Sequence, residues 1–179
     1  PEDVNLWTLL AEAQINNKLL NDALISIERG KLINPLMSEL YFAEGSIYII
    51  QNKNEKAKKS LKKGLDIQPK NLVALFQYGN IFLMEKNYEE ALSKYDKIIE
   101  LKSNFWQAIN NKGLIYFERD ELLMAINNFS KAIEIEKNAE SMLALAVSLK
   151  NTDKERSLLL VKEALKKNPN YVSYKFRKE

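Results

Sequence analysis

Lysine, arginine, aspartate and glutamate carry the reactive potential of this 179-residue chain, 27 basic and 24 acidic side chains, because it has no histidine and no cysteine. Disulfides and thiolate or imidazole metal ligation are therefore excluded. So is the one side chain whose unperturbed pKa lies near neutrality. Any acid–base catalysis would fall to carboxylates or to a lysine of strongly shifted pKa. No GxxxxGK[ST] phosphate loop, GxGxxG or HExxH occurs, and the five glycines stand apart from one another, so no loop cradles a phosphate. The expectation is a protein that is not an enzyme, with no cofactor and no metal. Asn128-Phe129-Ser130 has the form of a glycosylation sequon, but it falls inside a helical pattern, whereas acceptors sit on surface loops.

The charge is segregated. Residues 53–70, KNEKAKKSLKKGLDIQPK, hold seven lysines against Glu55 and Asp66, and residues 162–179 hold six basic and two acidic side chains. The net charge of the whole chain is only +3, so the remainder is acidic. One reading is contact with an anionic partner or membrane surface. The other, preferred on sequence alone, is a solvated outer face with Glu55 and Lys59 spaced as a helical ion pair. The lysines are not interleaved with aromatics or arginines that would read bases, which argues against nucleic acid.

The elements that carry these residues follow from a repeat. Stepping by 34 residues brings Gly45, Gly79 and Gly113 into register, and likewise Ala23, Ala57, Ala91 and Ala125. Each unit holds two amphipathic helical patterns around a turn, as in Leu72–Phe105, and such a period means a solenoid whose units bury their apolar sides against neighbours. All five glycines fall inside the helical patterns rather than in the turns. Glycine there costs about 1 kcal/mol relative to alanine, so the helices must approach too closely for a larger side chain. Pro35, Pro69 and Pro169 mark the ends of second helices, where a fixed φ and a missing N–H do no harm. The pattern predicts helices over 4–16, 20–33, 38–51, 54–67, 72–85, 88–101, 105–119, 122–135, 139–150 and 153–167.

The repeat positions resemble the tetratricopeptide repeat. The second unit carries Tyr41, Gly45, Tyr48, Ala57, Leu61, Gly64 and Pro69; the third carries Leu75, Gly79, Phe82, Ala91, Tyr95 and Ile98; the fourth carries Ile109, Gly113, Tyr116, Ala125, Phe129 and Ala132. The resemblance implies an all-α, right-handed α-solenoid of antiparallel helix pairs, about ten helices in one array. Its units run 4–37, 38–71, 72–105 and 106–139, then an irregular fifth at 140–169. The fifth has Val147 where glycine is expected, and Ala164 and Pro169 fall two residues early, which places a shortened turn near Asn151–Lys154 and Ser157 at the alanine position. Residues 170–179 read as the start of a capping helix or of a sixth repeat.

In that family the first helices line a concave groove. The matching positions here are Phe42, Ser46 and Ile49, then Phe76, Asn80 and Leu83, then Asn110, Leu114 and Phe117, with Ile50, Val73 and Met84 beside them. Phenylalanines would form apolar pockets and the amides would hydrogen-bond a peptide backbone. The surface has no lysine or arginine, so nothing repays the desolvation of a chaperone's carboxylate tail. The expected partner is a protein or peptide of apolar or amphipathic character. Trp106 stands where alanine is usual, either packed in the array or placed at the groove rim as an anchor.

The leading expectation is thus a protein–protein scaffold or adaptor. Alternatives are an accessory or assembly-factor segment of a longer chain, for instance in photosystem or other membrane-complex assembly or in regulating a fused enzyme, and self-association by end-to-end stacking of terminal repeats. No run of ~18 uncharged apolar residues is present, and the acidic PEDVNLW start lacks the regions of a signal peptide. The expected setting is soluble and cytoplasmic, with membrane contact only indirect, through segments outside this chain; the missing initiator Met fits an excised fragment or a processed start.

Overall fold

The computed structural model describes residues 3–169. These residues form ten helices and no strand: α1 (Val4–Asn16), α2 (Leu20–Ile33), α3 (Ser38–Ile50), α4 (Asn54–Ile67), α5 (Leu72–Met84), α6 (Tyr88–Leu101), α7 (Trp106–Glu118), α8 (Leu122–Ile135), α9 (Ala139–Leu149) and α10 (Lys154–Lys167). The fold is all-α, in helix pairs: α1 packs on α2, α3 on α4, α7 on α8 and α9 on α10. The capping helix expected over 170–179 lies outside the described residues.

One turn design recurs. Lys18, Asn52, Lys86 and Asp120 stand 34 residues apart and have φ of 62°, 56°, 57° and 61°. Around Lys18, the Leu19 amide donates to the Gln14 carbonyl (2.8 Å) and the Lys18 amide to that of Ile15 (2.9 Å). These are the two bonds of a Schellman closure, which satisfies the orphan carbonyls at a helix end. The same bonds recur at Lys53 to Tyr48, Asn87 to Phe82 and Glu121 to Tyr116. Leu19 then accepts from the Ala23 amide (3.0 Å), so the residue that closes α1 also opens α2. For this reason α2, α4 and α8 begin without a side-chain cap.

The fifth pair departs from the pattern, and differently from the sequence expectation. The two missing residues do not both leave the turn between its helices. Asn138 caps α9, its side chain accepting from the Ser141 amide (2.8 Å), so α9 opens one residue earlier than the period places it. Buried Ala146, and not exposed Val147, therefore takes the glycine position. The other residue is lost between α9 and α10. That turn has no positive-φ residue, and the Asp153 amide bonds to the Leu149 carbonyl (2.8 Å). With no Schellman closure to aim it, α10 uses a side-chain cap: Asp153 accepts from the Arg156 amide (3.0 Å). Ser157 does replace the earlier alanines, its hydroxyl donating to the Ala146 carbonyl (2.7 Å).

The chain divides into two compact units, Pro1–Lys94 and Tyr95–Glu179. The first is built on Ala11, Ala23, Ile27, Leu40 and Ile47, followed by Ala57, Leu61, Ala74 and Ile81. The second is built on Ala125, Phe129, Leu145 and Leu149, with Met142, Leu143 and Ala164. Close helix approach is visible at two glycines. A Cβ on Gly45 would stand 2.8 Å from Cγ of Leu61, and one on Gly113 would stand 2.6 Å from the Phe129 ring. No real Cβ tolerates such contacts, so the loss of helix propensity is the condition for bringing these helices together.

Candidate partner-binding faces

In the first unit the face begins with α3. Phe42, Ser46 and Ile49 lie at i, i+4 and i+7 and share one side of the helix. Phe42 is half-buried, and its ring occupies the space left by Gly64 in α4, so it is seated as well as presented. Ile49 packs against the core formed by Ala57, Leu61, Ala74 and Ile81. The Ser46 hydroxyl donates to the Phe42 carbonyl (3.0 Å) and accepts from the Gln77 side-chain amide of α5 (2.9 Å), which ties the two helices across the face. On α5, Phe76, Asn80 and Leu83 are half-buried. Around them Ile50, Val73 and Met84 are 58%, 65% and 71% exposed. None of these positions carries a lysine or arginine.

The second unit uses the corresponding positions differently. Asn110 is 1% exposed. Its carbonyl oxygen accepts from the Ser141 hydroxyl (2.8 Å), and its amide donates to Glu140 (3.3 Å), so α7 is bonded to α9. Leu114 and Phe117 are half-buried and pack with Ala125, Phe129, Leu145 and Leu149. Trp106, the first residue of α7, is half-buried. Burial pushes the Tyr95 phenol up to about 12, with the Asn111 amide, which donates to its hydroxyl (3.2 Å), acting in the opposite sense.

Gln77 and Glu140 were not among the expected groove residues. A signal for them exists: Ser46 meets Gln77 and Asn110 meets Ser141, each pair 31 residues apart. That is one repeat less one helical turn, the offset at which polar residues on successive first helices meet. Asn128 of the sequon lies within α8 and donates to the Met124 carbonyl (2.8 Å). Among the described residues no group of three acidic side chains gathers to hold a metal ion, and no helix is long and apolar enough to cross a membrane.

The tetratricopeptide-repeat family profile matches residues 38–71 and 107–139. No curated protein sequence matches the chain. Solved structures share the fold at low identity. A MamA fragment from Desulfovibrio magneticus RS-1 superposes with a TM-score of 0.83 at 15% identity, covering 93% of this chain and 96% of that one. YrrB, described as a tetratricopeptide protein with an unusual peptide-binding site, gives 0.78 at 18%, covering 96% and 89%. PilF of Pseudomonas aeruginosa gives 0.76 at 19%, covering 91% and 73%.

Proposed function

The chain is a tetratricopeptide-repeat protein, and on that premise we propose that it is an interaction scaffold whose first unit binds a protein or peptide segment on the face carried by α3 and α5. The observation that carries this reading is the set of exposed Ile50, Val73 and Met84 around the half-buried Phe76, Asn80 and Leu83. Apolar anchors on a partner would be buried there, at about 1.5–3 kcal/mol for a fully buried side chain. With no cation on the face, a partner anchored by a carboxylate would lose solvation without compensation, so the segment recognised is apolar or amphipathic. The peptide-binding site described for YrrB supports the scaffold reading at the level of the fold.

The test is calorimetry with a peptide selected by display against this protein. Val73→Ser with Met84→Ser should weaken binding ten-fold or more while leaving the melting temperature unchanged, because both side chains are exposed. An unaltered affinity would contradict the assignment.

Self-association is a second reading, favoured by one observation. Leu6 and Leu10 of α1 are exposed, whereas Leu40, which matches Leu6 one repeat later, is fully buried. A repeat from a second copy would cover that face. Sedimentation should then show a mass rising with concentration that Leu6→Lys abolishes; a constant monomer mass would exclude it.

A further inference from the structure

The lysines of α4 are not an undifferentiated solvated face. Glu55 pairs with Lys58 (2.6 Å) and not with Lys59, and Lys58 also reaches Glu85 (2.8 Å). Those carboxylates, hydrogen-bonded by the ammonium, hold Lys58 above the usual lysine range. What remains is Lys56, Lys59 and Lys63 at i, i+3 and i+7, and no ion pair with a described residue engages any of them. They line a cleft of about 330 Å³ together with Lys31, Tyr41 and Tyr48. Its floor is the buried Glu44, whose charge is already answered by Lys31 (2.8 Å) and by the Ser60 hydroxyl, which donates to it (2.6 Å). The cleft therefore carries three uncompensated cations around a neutralised base.

Two of the three cations are also held in place. Lys63 lies over the Tyr41 ring (4.8 Å) and Lys56 over that of Tyr48 (5.6 Å). Such cation–π contacts restrict the side chains before any ligand arrives. Tyr41, Glu44 and Tyr48 lie on a different side of α3 from Phe42, Ser46 and Ile49, offset by roughly a third of a turn or more. The cleft is thus separate from the apolar face.

We propose that this cleft is a second binding site, and that it takes a helical peptide segment bearing acidic side chains at i, i+3 or i+4, and i+7. Three ammoniums on successive turns of α4 span about 10 Å, which suits three carboxylates on successive turns of a partner and is too extended for one phosphate. Lysines act as point charges; the cleft has no arginine fork to chelate phosphate bidentately. Its tyrosine rings already face ammoniums, Lys31 also lying over Tyr41 (4.8 Å), so they are not free stacking platforms for bases. A concave site with its charges in a line also matches a rod-like partner better than a flat lipid surface.

The probe is a labelled alanine-based helical peptide with Glu at i, i+3 and i+7, titrated by fluorescence anisotropy at about 20 mM salt, where screening is weak. Its Gln counterpart is the reference. The wild type should bind the Glu peptide and not the Gln peptide. Lys56→Gln/Lys59→Gln/Lys63→Gln should weaken binding at least ten-fold, with the far-ultraviolet melt unchanged. Lys162→Gln/Lys166→Gln/Lys167→Gln removes the same charge elsewhere and should leave affinity within two-fold, as should Phe76→Ala on the apolar face. Equal weakening by the two triple variants, or equal binding of the Glu and Gln peptides, would overturn the site. Displacement of the peptide by millimolar inorganic phosphate would reassign the cleft to phosphate and overturn the peptide. Tighter capture by phosphatidylserine vesicles, lost in the α4 triple variant, would do the same in favour of a membrane.

Discussion

The fifth position of the first helix is Phe42 in α3, Phe76 in α5 and Asn110 in α7. In the first unit the phenylalanines are half-buried, and Ile50, Val73 and Met84 on the same two helices are exposed. In the second, Asn110 is buried and both of its polar atoms are bonded to α9. A single repeat frame therefore serves two purposes. Where the position is aromatic, the face is left with apolar surface to offer. Where it is an amide, the interaction capacity is turned inward to join successive repeats. A position in the frame is thus only a place, and the residue type decides whether it packs an aromatic ring there or hydrogen-bonds the next first helix.

The largest expected effect tests what the two units share. Gly45→Val and Gly113→Val should each destabilise by about 3 kcal/mol, since both force a branched side chain against Leu61 or the Phe129 ring. Chemical denaturation of the two variants would read this, and tolerance at either site would break the close-approach argument for that unit. The next effect separates the units. Asn110→Ala should cost about 2 kcal/mol by leaving the Ser141 hydroxyl and α9 without their partner. Ser46→Ala, at a half-buried hydrogen bond, should cost less than ~1 kcal/mol. Similar losses would dissolve the contrast.

A third prediction concerns alkaline pH. The Tyr95 phenol titrates near 12 when folded, against about 10 when unfolded. The unfolded chain therefore releases this proton first as pH rises. The stabilisation from Tyr95 is complete below pH ~10 and is lost progressively through pH ~12, by up to about 1.4 kcal/mol per pH unit. Tyr95→Phe removes that contribution, so the fall in Tm between pH 9 and 11 should be shallower in the variant; parallel curves would contradict it. The smallest effect lies in the turns. Lys86→Gly and Asp120→Gly relieve a positive φ and should stabilise by about 1 kcal/mol each. Thr152→Gly, in the fifth turn without such a residue, should not.

The helices were legible because glycine, alanine and proline recur at one phase, and their starts and ends follow from that phase to within a residue or so. The fifth repeat was legible only in part. The total shortfall of two residues is visible in Ala164 and Pro169, but periodicity does not say where they are lost. Burial decides that, and it selects Ala146 over its neighbour Val147. Glu55 has lysines at both i+3 and i+4, and its choice of Lys58 depends on Glu85, which the local spacing does not include. The inward turn of Asn110 was hidden for a similar reason. A 34-residue register aligns equivalent positions, whereas the bonding partner sits 31 residues away.

The account depends most on the α3–α5 face being the surface a partner covers. Methyl-resolved NMR of the protein with a display-selected peptide tests this directly. The account predicts shifts concentrated on Ile49, Ile50, Val73, Leu83 and Met84, with Leu143 and Leu145 of the second unit unmoved. Saturable binding that shifts Leu143 or Leu145 and leaves Val73 and Met84 unchanged would contradict it.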